Sequence, residues 1–190
     1  MNASIANYTT QNELLLNNLM DFYKNDYYLN RMLKIITGES KISLRIVDWF
    51  ATNYAKKNYT LYPISASNGD TIRFKVYFDY KLKLKAYSKK RFDPFCRWDR
   101  ISIPYKNGTS IETTIGQLNF FKWAIENKVI EYIEENYDTI EKDMNNRNST
   151  SKRKETVVDN SKTRKKREEL SISATKSIKK EEVEIVVQFH

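Results

Sequence analysis

The chain of 190 residues has little of the chemistry that most enzymes use: one cysteine, one histidine and four glycines. A single cysteine, Cys96, excludes an internal disulfide framework, and we therefore expect a reducing compartment. The only histidine is His190, so the sequence offers no Ser-His-Asp triad, Cys-His pair or histidine-rich metal site. The four glycines do not form a phosphate-binding loop, which argues against ATP or dinucleotide binding. The sequence thus predicts no cofactor, no metal site and no catalytic residue.

Long apolar runs are also absent, since the longest uninterrupted runs contain only a few residues. A helix that crosses a bilayer needs about 20 apolar residues, so no transmembrane segment is predicted. The first residues, MNASIANYTTQNE, lack the charged and apolar regions of a secretory signal peptide. We expect an intracellular protein that is not secreted and has no membrane partner.

Charged residues, by contrast, are abundant. The net charge is +9, and it is unevenly distributed along the chain. Residues 73–106 carry 11 Lys or Arg and three acids, whereas residues 107–145 carry three basic and eight acidic residues. In the first region cations alternate with aromatic rings, a combination that offers phosphate contacts and base-stacking surfaces together. The sequence therefore predicts a nucleic-acid interface. Its predicted contact residues are Lys81, Lys83, Lys85, Lys89, Lys90, Arg91, Phe92, Phe95, Arg97, Trp98 and Arg100.

Helical periodicity dominates the first part of a domain predicted to span residues 1–144. Thr10 begins a T-x-x-E capping box, after which leucines recur at helical spacing. A second helix is predicted over residues 28–36. A third begins after Ser40 or Ser43 and ends near Lys57.

A β-hairpin is predicted next, because residues 59–65 and 71–78 flank the turn dipeptide Asn68-Gly69 and the second segment alternates with period two. Residues 80–86 alternate lysine with leucine, which fits either a continued strand or the start of a helix. We favour the strand, with Leu82 and Leu84 pointing inward.

The rest of the domain is predicted to contain a second hairpin followed by helices. Residues 100–105 and 110–113 form its strands, and Thr114 with Gln117 makes a capping box that begins a helix. After a break near Asn127, a further helix is predicted through about residue 140. Helices, a small antiparallel sheet with hairpins, and helices again define an α+β fold.

Composition changes at about residue 145, where Lys, Arg, Glu, Ser, Thr and Asn replace large apolar residues. Residues 145–190 are therefore predicted to be a disordered basic tail. Its basic clusters, residues 151–154 and 162–167, fit a nuclear-import signal, a loose nucleic-acid grip or a solubilising tail. The tail ends in an alternating apolar segment typical of a docking peptide that adds a strand to a sheet. The apolar residues of this peptide are Val183, Ile185, Val186, Val187 and Phe189.

The sequence leaves other interpretations of these residues open. Lysines on a strand also suit an ordinary solvent-facing edge, and aromatic residues anchor a loop to the core as readily as they stack on bases. A Mg²⁺-dependent nuclease would need Asp70, Asp79 and Lys81 around a divalent ion, but their spacing arises often by chance. Cys96 lies among cations that favour a thiolate, although a small half-buried residue is the simpler interpretation.

The chain contains the segments KISLRIVDWFATNYAKK (41–57), LKAYSKKRFDPFCR (84–97) and TTIGQLNFFKWAIEN (113–127). These segments resemble a family of short uncharacterised proteins of nucleocytoplasmic large DNA viruses, including mimivirus relatives. The likeness covers roughly residues 40–140 and excludes the tail. It implies a viral context, namely the host cytoplasm, a viral factory or the virion, and it implies no role for any individual residue.

Together these observations predict a non-enzymatic protein of a large DNA virus that binds nucleic acid mainly through phosphate contacts, in transcription, packaging or the virion core. The alternative is a virion structural or adaptor protein, whose cationic surface meets other virion or transcription proteins, or the acidic residues 126–143 of another copy. The sequence does not choose between DNA and RNA.

Overall fold

The computed structural model describes residues 11–65, 69–96, 100–105, 110–155 and 180–181. These residues form the predicted α+β fold, with two small antiparallel sheets between helices. The helices are α1 (Gln11–Tyr23), α2 (Asp26–Ile36), α3 (Leu44–Trp49), α4 (Ala55–Lys57), α5 (Val76–Phe92), α6 (Ile115–Glu126), α7 (Val129–Glu135) and α8 (Tyr137–Glu155). The strands are β1 (Leu61–Ser65), β2 (Thr71–Lys75), β3 (Arg100–Pro104), β4 (Ser110–Thr114) and β5 (Lys180–Glu181).

The predicted N-terminal helices are present, and side chains cap two of them. Asn25 begins α2 by accepting a hydrogen bond from the Tyr27 backbone N–H at 3.0 Å. Ser43 begins α3 by accepting one from the Ile46 N–H at 3.3 Å, which decides between the two predicted caps. Thr10, the predicted cap of α1, lies outside the described residues.

Helix α3 continues through a π-helical turn, Phe50–Tyr54, into α4, which ends at Lys57 as predicted. Tyr59 then adopts a left-handed backbone conformation with a φ of 48°. The Thr60 N–H bonds to the Ala55 carbonyl oxygen at 3.1 Å. This is a Schellman ending, in which the left-handed position is usually occupied by glycine.

The first predicted hairpin is confirmed, but its second strand is shorter than predicted. Leu61 lies opposite Lys75 and Ser65 lies opposite Thr71 in an antiparallel register. Strand β2 ends at Lys75 because the backbone turns into α5 at Val76.

The prediction that residues 80–86 continue as a strand is wrong, because these residues belong to α5. Val76 and Tyr80 are buried at helical spacing, and Leu84 is partly buried on the same side. Packing of this side against α6 favours a helix over the short period-two pattern. Leu82, predicted to point inward, is 66% exposed.

The second predicted hairpin is also present, and α6 begins directly after its second strand. Arg100 of β3 lies opposite Thr114 of β4. The other edge of β4 receives β5, with Ser110 opposite Glu181. The Thr114 hydroxyl accepts a hydrogen bond from the Gln117 N–H at 3.2 Å, which confirms the predicted cap of α6.

Helix α6 forms the centre of the hydrophobic core. Leu118, Phe120 and Phe121 have no exposed surface, and Trp123 is 3% exposed. Helix α1 packs against α6, and the Tyr23 hydroxyl donates a hydrogen bond to the Leu118 carbonyl oxygen at 2.7 Å. Helix α5 packs against α6 as well, so the orientation of α5 follows from the burial of its inner side.

The C-terminal helices differ from the prediction in their boundaries. Helix α6 ends at Glu126, next to the break predicted near Asn127, but the single helix expected to follow is divided at Asn136 into α7 and α8. Helix α8 continues to Glu155, past the predicted start of the tail at residue 145. Adding a residue to an existing helix orders one residue and gains one hydrogen bond, so its cost in free energy is small. This explains the extension of α8. Residues 156–179 and the docking peptide at 183–189 lie outside the described residues.

Candidate nucleic-acid interface

Helix α5 carries most of the predicted contact residues, and its packing decides which of them face solvent. The Tyr80 ring lies 5.8 Å from the Trp123 ring and 6.3 Å from the Phe120 ring, between centroids. Val76, one turn before Tyr80, has no exposed surface. Because successive helical residues are about 100° apart, the residues on the side opposite Tyr80 project into solvent.

This outer side of α5 combines lysines with apolar side chains. Lys81 and Lys85 are exposed one turn apart, next to Phe78 at 60% and Leu82 at 66% exposure. Within the described part of the chain, no acidic side chain forms an ion pair with Lys81, Lys85 or Lys89. The positive charge of this surface is therefore not neutralised by the described residues.

The only acidic residue of α5, Asp79, is engaged in the interior. It is partly buried, and its Oδ1 accepts a hydrogen bond from the indole Nε1 of Trp123 at 2.7 Å. This contact fixes the carboxylate toward α6 and away from the lysines. The outer side of α5 consequently carries basic residues without an acidic one.

The helix bends at Ser88, whose φ of 62° and ψ of 169° are not helical. Lys89 and Lys90 are exposed beyond the bend. Arg91 is half-buried, and its guanidinium donates a hydrogen bond to Gln11 Oε1 at 3.4 Å. The bend thus divides the exposed lysines of α5 into a group before Ser88 and a group after it.

The turn after α5 is held in place by hydrogen bonds and by buried side chains. Asp93 Oδ1 accepts a hydrogen bond from the Phe95 N–H at 2.8 Å. Cys96 is 6% exposed, and its thiol donates to the Lys90 carbonyl oxygen at 3.4 Å, so it is a buried structural residue. Phe92 has no exposed surface and therefore cannot stack on a base; of its two predicted roles, only positioning the turn is available.

Several predicted contact residues lie apart from the outer side of α5. Arg100 is exposed on β3, where its guanidinium pairs with the Glu112 carboxylate of β4 at 3.1 Å. Lys83 lies on another side of α5, where it lines an open cavity of about 500 Å³. Arg97 and Trp98 lie outside the described residues. The predicted residues that remain exposed on α5 are Lys81, Lys85, Lys89 and Lys90.

A groove that the sequence analysis did not find opens at the N-terminal end of α5. It has a volume of about 430 Å³ and a mainly apolar lining. Tyr59 is 80% exposed, Phe78 60% and Leu61 49%. Phe78 was predicted to be the last residue of a strand, whereas it lies on the first turn of α5. Hydrophobic periodicity does not indicate that a single aromatic ring is exposed, so the sequence gave no signal for this groove. The lining residues are Ala55, Lys56, Tyr59, Thr60, Leu61, Lys75, Tyr77 and Phe78.

The border of this groove is cationic. Lys75 lies opposite Leu61 and Arg73 lies opposite Pro63 in the hairpin, and all four are exposed. Opposite residues of an antiparallel pair share one face of the sheet, so both cations stand on the outer face of the hairpin. On the other border, the Lys56 ammonium lies 5.6 Å from the centroid of the Tyr77 ring.

Four acidic residues of the C-terminal helices, Glu131, Glu134, Asp138 and Asp143, form ion pairs within the chain. Arg31 pairs with Glu134 at 2.6 Å and with Glu131 at 3.4 Å. Lys57 pairs with Asp143 at 2.5 Å, and this contact holds the pKa of the Asp143 carboxyl below its ordinary value. The excess of positive charge in the sequence is therefore present on the surface of α5, whereas part of the negative charge of α7 and α8 is neutralised within the chain.

The part of the chain that the structure describes contains no group of three or more His, Cys, Asp or Glu side chains placed to hold a metal ion. None of its helices is long and apolar enough to cross a membrane.

The fold and this surface define a class: an α+β protein with an exposed cationic helix beside an apolar groove. The chain belongs to the family of unknown function (DUF7197), which matches residues 2–189. It is also similar to uncharacterized protein L507 of Acanthamoeba polyphaga mimivirus, at 46% identity over 154 residues. The match covers 78% of this chain and 58% of that protein, so the chain spans less than two thirds of its relative. No solved structure matches the chain. The resemblance to a giant-virus family is confirmed.

Proposed function

We propose that this protein binds nucleic acid through phosphate contacts made by the exposed lysines of α5, without catalysing a reaction. The observation that carries the proposal is the unneutralised charge of Lys81, Lys85 and Lys89 on a helix whose only acid, Asp79, is bonded to Trp123. Phosphate groups supply the complementary charge, and long lysine side chains reach them without fixed geometry.

The spacing of these lysines suits a repeating polyanion. Lys81 and Lys85 are four residues apart, which separates their Cα atoms by about 6 Å along the helix axis. An ammonium group carries no planar fork with which to read a base edge, so binding by these residues is expected to be weakly sequence-specific. The viral family makes transcription, genome packaging or the virion core the setting that we propose, in the host cytoplasm, a viral factory or the virion.

The competing hypothesis, an adaptor whose cationic surface meets acidic residues of another copy, receives less support. It requires acidic side chains of α7 and α8 that are available to a partner. Glu134 is already paired with Arg31 and Asp143 with Lys57. Transferring these acids to a second copy would break pairs that exist within each chain.

Fluorescence-anisotropy titration tests the proposal directly. Labelled 20-nucleotide single strands and 20-base-pair duplexes of DNA and of RNA are titrated with the full chain at several salt concentrations. Saturable binding that weakens steeply with salt is expected. In a variant with Lys81, Lys85 and Lys89 changed to Ala, the slope of log K against log salt should fall by about 0.9 for each lost duplex contact.

A matched control separates this surface from net charge. Lys24, Lys34 and Lys142 are also exposed, and changing these three to Ala removes the same charge from the residue after α1, from α2 and from α8. The control should retain most of the affinity and the salt slope. Absence of binding by the unmodified chain, or equal losses in both triple variants, would overturn the proposal.

A further inference from the structure

We propose that the groove at the N-terminal end of α5 binds the bases of a single-stranded nucleic acid, with Tyr59 and Phe78 as stacking surfaces. This inference rests on the proposed function and names its preferred ligand. Aromatic side chains stack on any base, and a cationic border tracks the phosphates between them. Neither ring was among the predicted contact residues.

Tyr59 is the more unusual of the two residues. It occupies the left-handed position of a Schellman ending, where a residue with a Cβ atom is strained and glycine is the usual choice. The strain is not offset by burial, since 80% of the Tyr59 surface is exposed. A strained backbone that holds a large ring in solvent is a feature associated with functional sites.

Phe78 and Leu61 complete an apolar surface beside Tyr59. Phe78 is 60% exposed on the first turns of α5, although its helix offers an inner side against α6. The groove volume of about 430 Å³ lies within the range of roughly 300–1,000 Å³ that is common for ligand sites. The groove is therefore large enough to receive a planar group on the scale of a nucleobase.

Charge complementarity selects the occupant. Lys56 and Lys75 line the groove, and Lys81 and Lys85 follow on the next turns of α5. A ligand with an apolar, planar centre and anionic groups on both sides, such as a nucleotide chain, matches this arrangement. In a duplex the faces of the bases are hidden by stacking, so the groove favours a single strand over a duplex.

The C-terminal end of the basic tail is the main competing occupant, because residues 181–187 combine three glutamates with apolar residues. Its first part is placed elsewhere. Lys180 and Glu181 pair with Ile111 and Ser110 at the edge of β4, in the sheet formed by β3 and β4. We therefore assign the groove to nucleic acid and leave the tail as an outcome of the test.

Two ring variants of the full chain, Tyr59→Gly and Phe78→Ala, test the assignment. Glycine is the preferred residue at a left-handed position, so Tyr59→Gly removes the ring without endangering the fold. Each variant should weaken binding of a labelled 20-nucleotide oligothymidylate by about 5- to 150-fold, the range reported for loss of one base-stacking ring. Binding of the 20-base-pair duplex should change less than twofold.

The control is Tyr27→Ala, which removes a tyrosine that is 59% exposed on α2. It should leave both affinities unchanged. If the three lysines of α5 matter for binding and the two rings do not, the groove assignment fails while the proposed function stands. If the unmodified chain binds neither the oligothymidylate nor the duplex, the groove assignment and the proposed function both fail.

A labelled peptide of residues 181–189 is titrated in parallel with the same variants. Saturable peptide binding that Tyr59→Gly abolishes, together with oligothymidylate binding that the variant leaves intact, would assign the groove to the tail and overturn the inference. Loss of oligothymidylate binding in both ring variants, with duplex binding retained, is the result that the inference requires.

Discussion

The Asp79 carboxylate accepts a hydrogen bond from the Trp123 indole N–H, with 2.7 Å between Oδ1 and Nε1. The contact joins α5 to α6 across 44 positions of the sequence. Because Trp123 is 3% exposed, its N–H has little access to bulk water, and Asp79 is its hydrogen-bond acceptor. The same contact removes the one negative charge of α5 from the surface that carries Lys81 and Lys85.

Changing Asp79 to Ala should therefore destabilise the protein. The buried N–H of Trp123 would lose its acceptor, at a cost of about 1–3 kcal/mol in the free energy of unfolding. Asp79→Asn retains a carbonyl oxygen at the same place and should cost less than half as much. Urea denaturation followed by tryptophan fluorescence measures both. Equal losses in the two variants would show that the charge, rather than the acceptor, matters.

Gly116 is expected to tolerate no side chain. A Cβ atom there would lie 2.9 Å from the Asp93 carbonyl oxygen and 3.0 Å from the Lys90 carbonyl oxygen. Both neighbours are backbone atoms, Lys90 in the last turn of α5 and Asp93 directly after it, so relief requires this part of the backbone to move. Gly116→Ala should lower the free energy of unfolding by about 1–3 kcal/mol.

The control for this effect is Gly69→Ala, where a Cβ would meet nothing within 4 Å but φ is 87°. Its cost should come only from the left-handed backbone, about 1 kcal/mol. Thermal unfolding of both variants provides the comparison. A loss at Gly116 no larger than the loss at Gly69 would contradict the close packing of α6 on the turn.

Ser88 should be replaced by glycine with a gain in stability. Its φ of 62° with ψ of 169° belongs to a region that side chains rarely adopt and that glycine enters freely. Ser88→Gly should raise the free energy of unfolding by up to about 1 kcal/mol, after the larger entropy of glycine in the unfolded chain is subtracted.

For the neighbouring exposed residue Ala86 we expect glycine to have the opposite effect on stability, because its backbone is helical. Ala86→Gly should destabilise by about 0.5–1 kcal/mol. Chemical denaturation of the two single variants distinguishes the signs. A loss of stability in both would indicate that the bend at Ser88 is not strained.

Folding stability should depend on pH through Asp48. Burial, and secondly the charge of Asp93, raise the pKa of the Asp48 carboxyl to about 7. Its pKa in the unfolded chain is about 3.9, so between these values the folded state binds more protons than the unfolded state. The contribution of Asp48 to stability therefore falls as pH rises from about 4 to about 7 and is level above that.

Asp48→Asn removes this contribution, so the variant should gain more stability at pH 8 than at pH 5. Urea denaturation at both pH values measures the difference. Asp21→Asn, at a carboxylate whose side chain is 70% exposed, serves as the control and should shift both values alike. If the free energy of unfolding of the Asp48 variant depended on pH as that of the unmodified chain does, Asp48 would not be the group responsible for the dependence.

Much of the fold was predictable because its signals are local. The caps at Ser43 and Thr114, the turn dipeptide before β2 and the helix end at Lys57 each depend on neighbours within a few residues. The strand predicted over residues 80–86 was wrong for the converse reason. Alternating Lys and Leu fits both periods over so short a run, and contact with α6 decided between them.

The candidate site follows the same division. The cluster of cations between residues 73 and 106 is a property of the sequence, and the lysines of α5 were predicted from it to contact phosphates. Which of them reach solvent was not predictable, since exposure depends on how α5 is rotated against Trp123 and Phe120.

By itself, therefore, the sequence determined the α+β class, the positions of most helices and turns, the polarity of charge and the giant-virus family. Only the tertiary structure decided that Phe92 is buried, that Asp79 faces inward and that Tyr59 and Phe78 border one groove. The physical reason is that caps, turns and charge runs are set by nearby residues, whereas burial and shared surfaces are set by elements that are distant in the chain and meet only on packing.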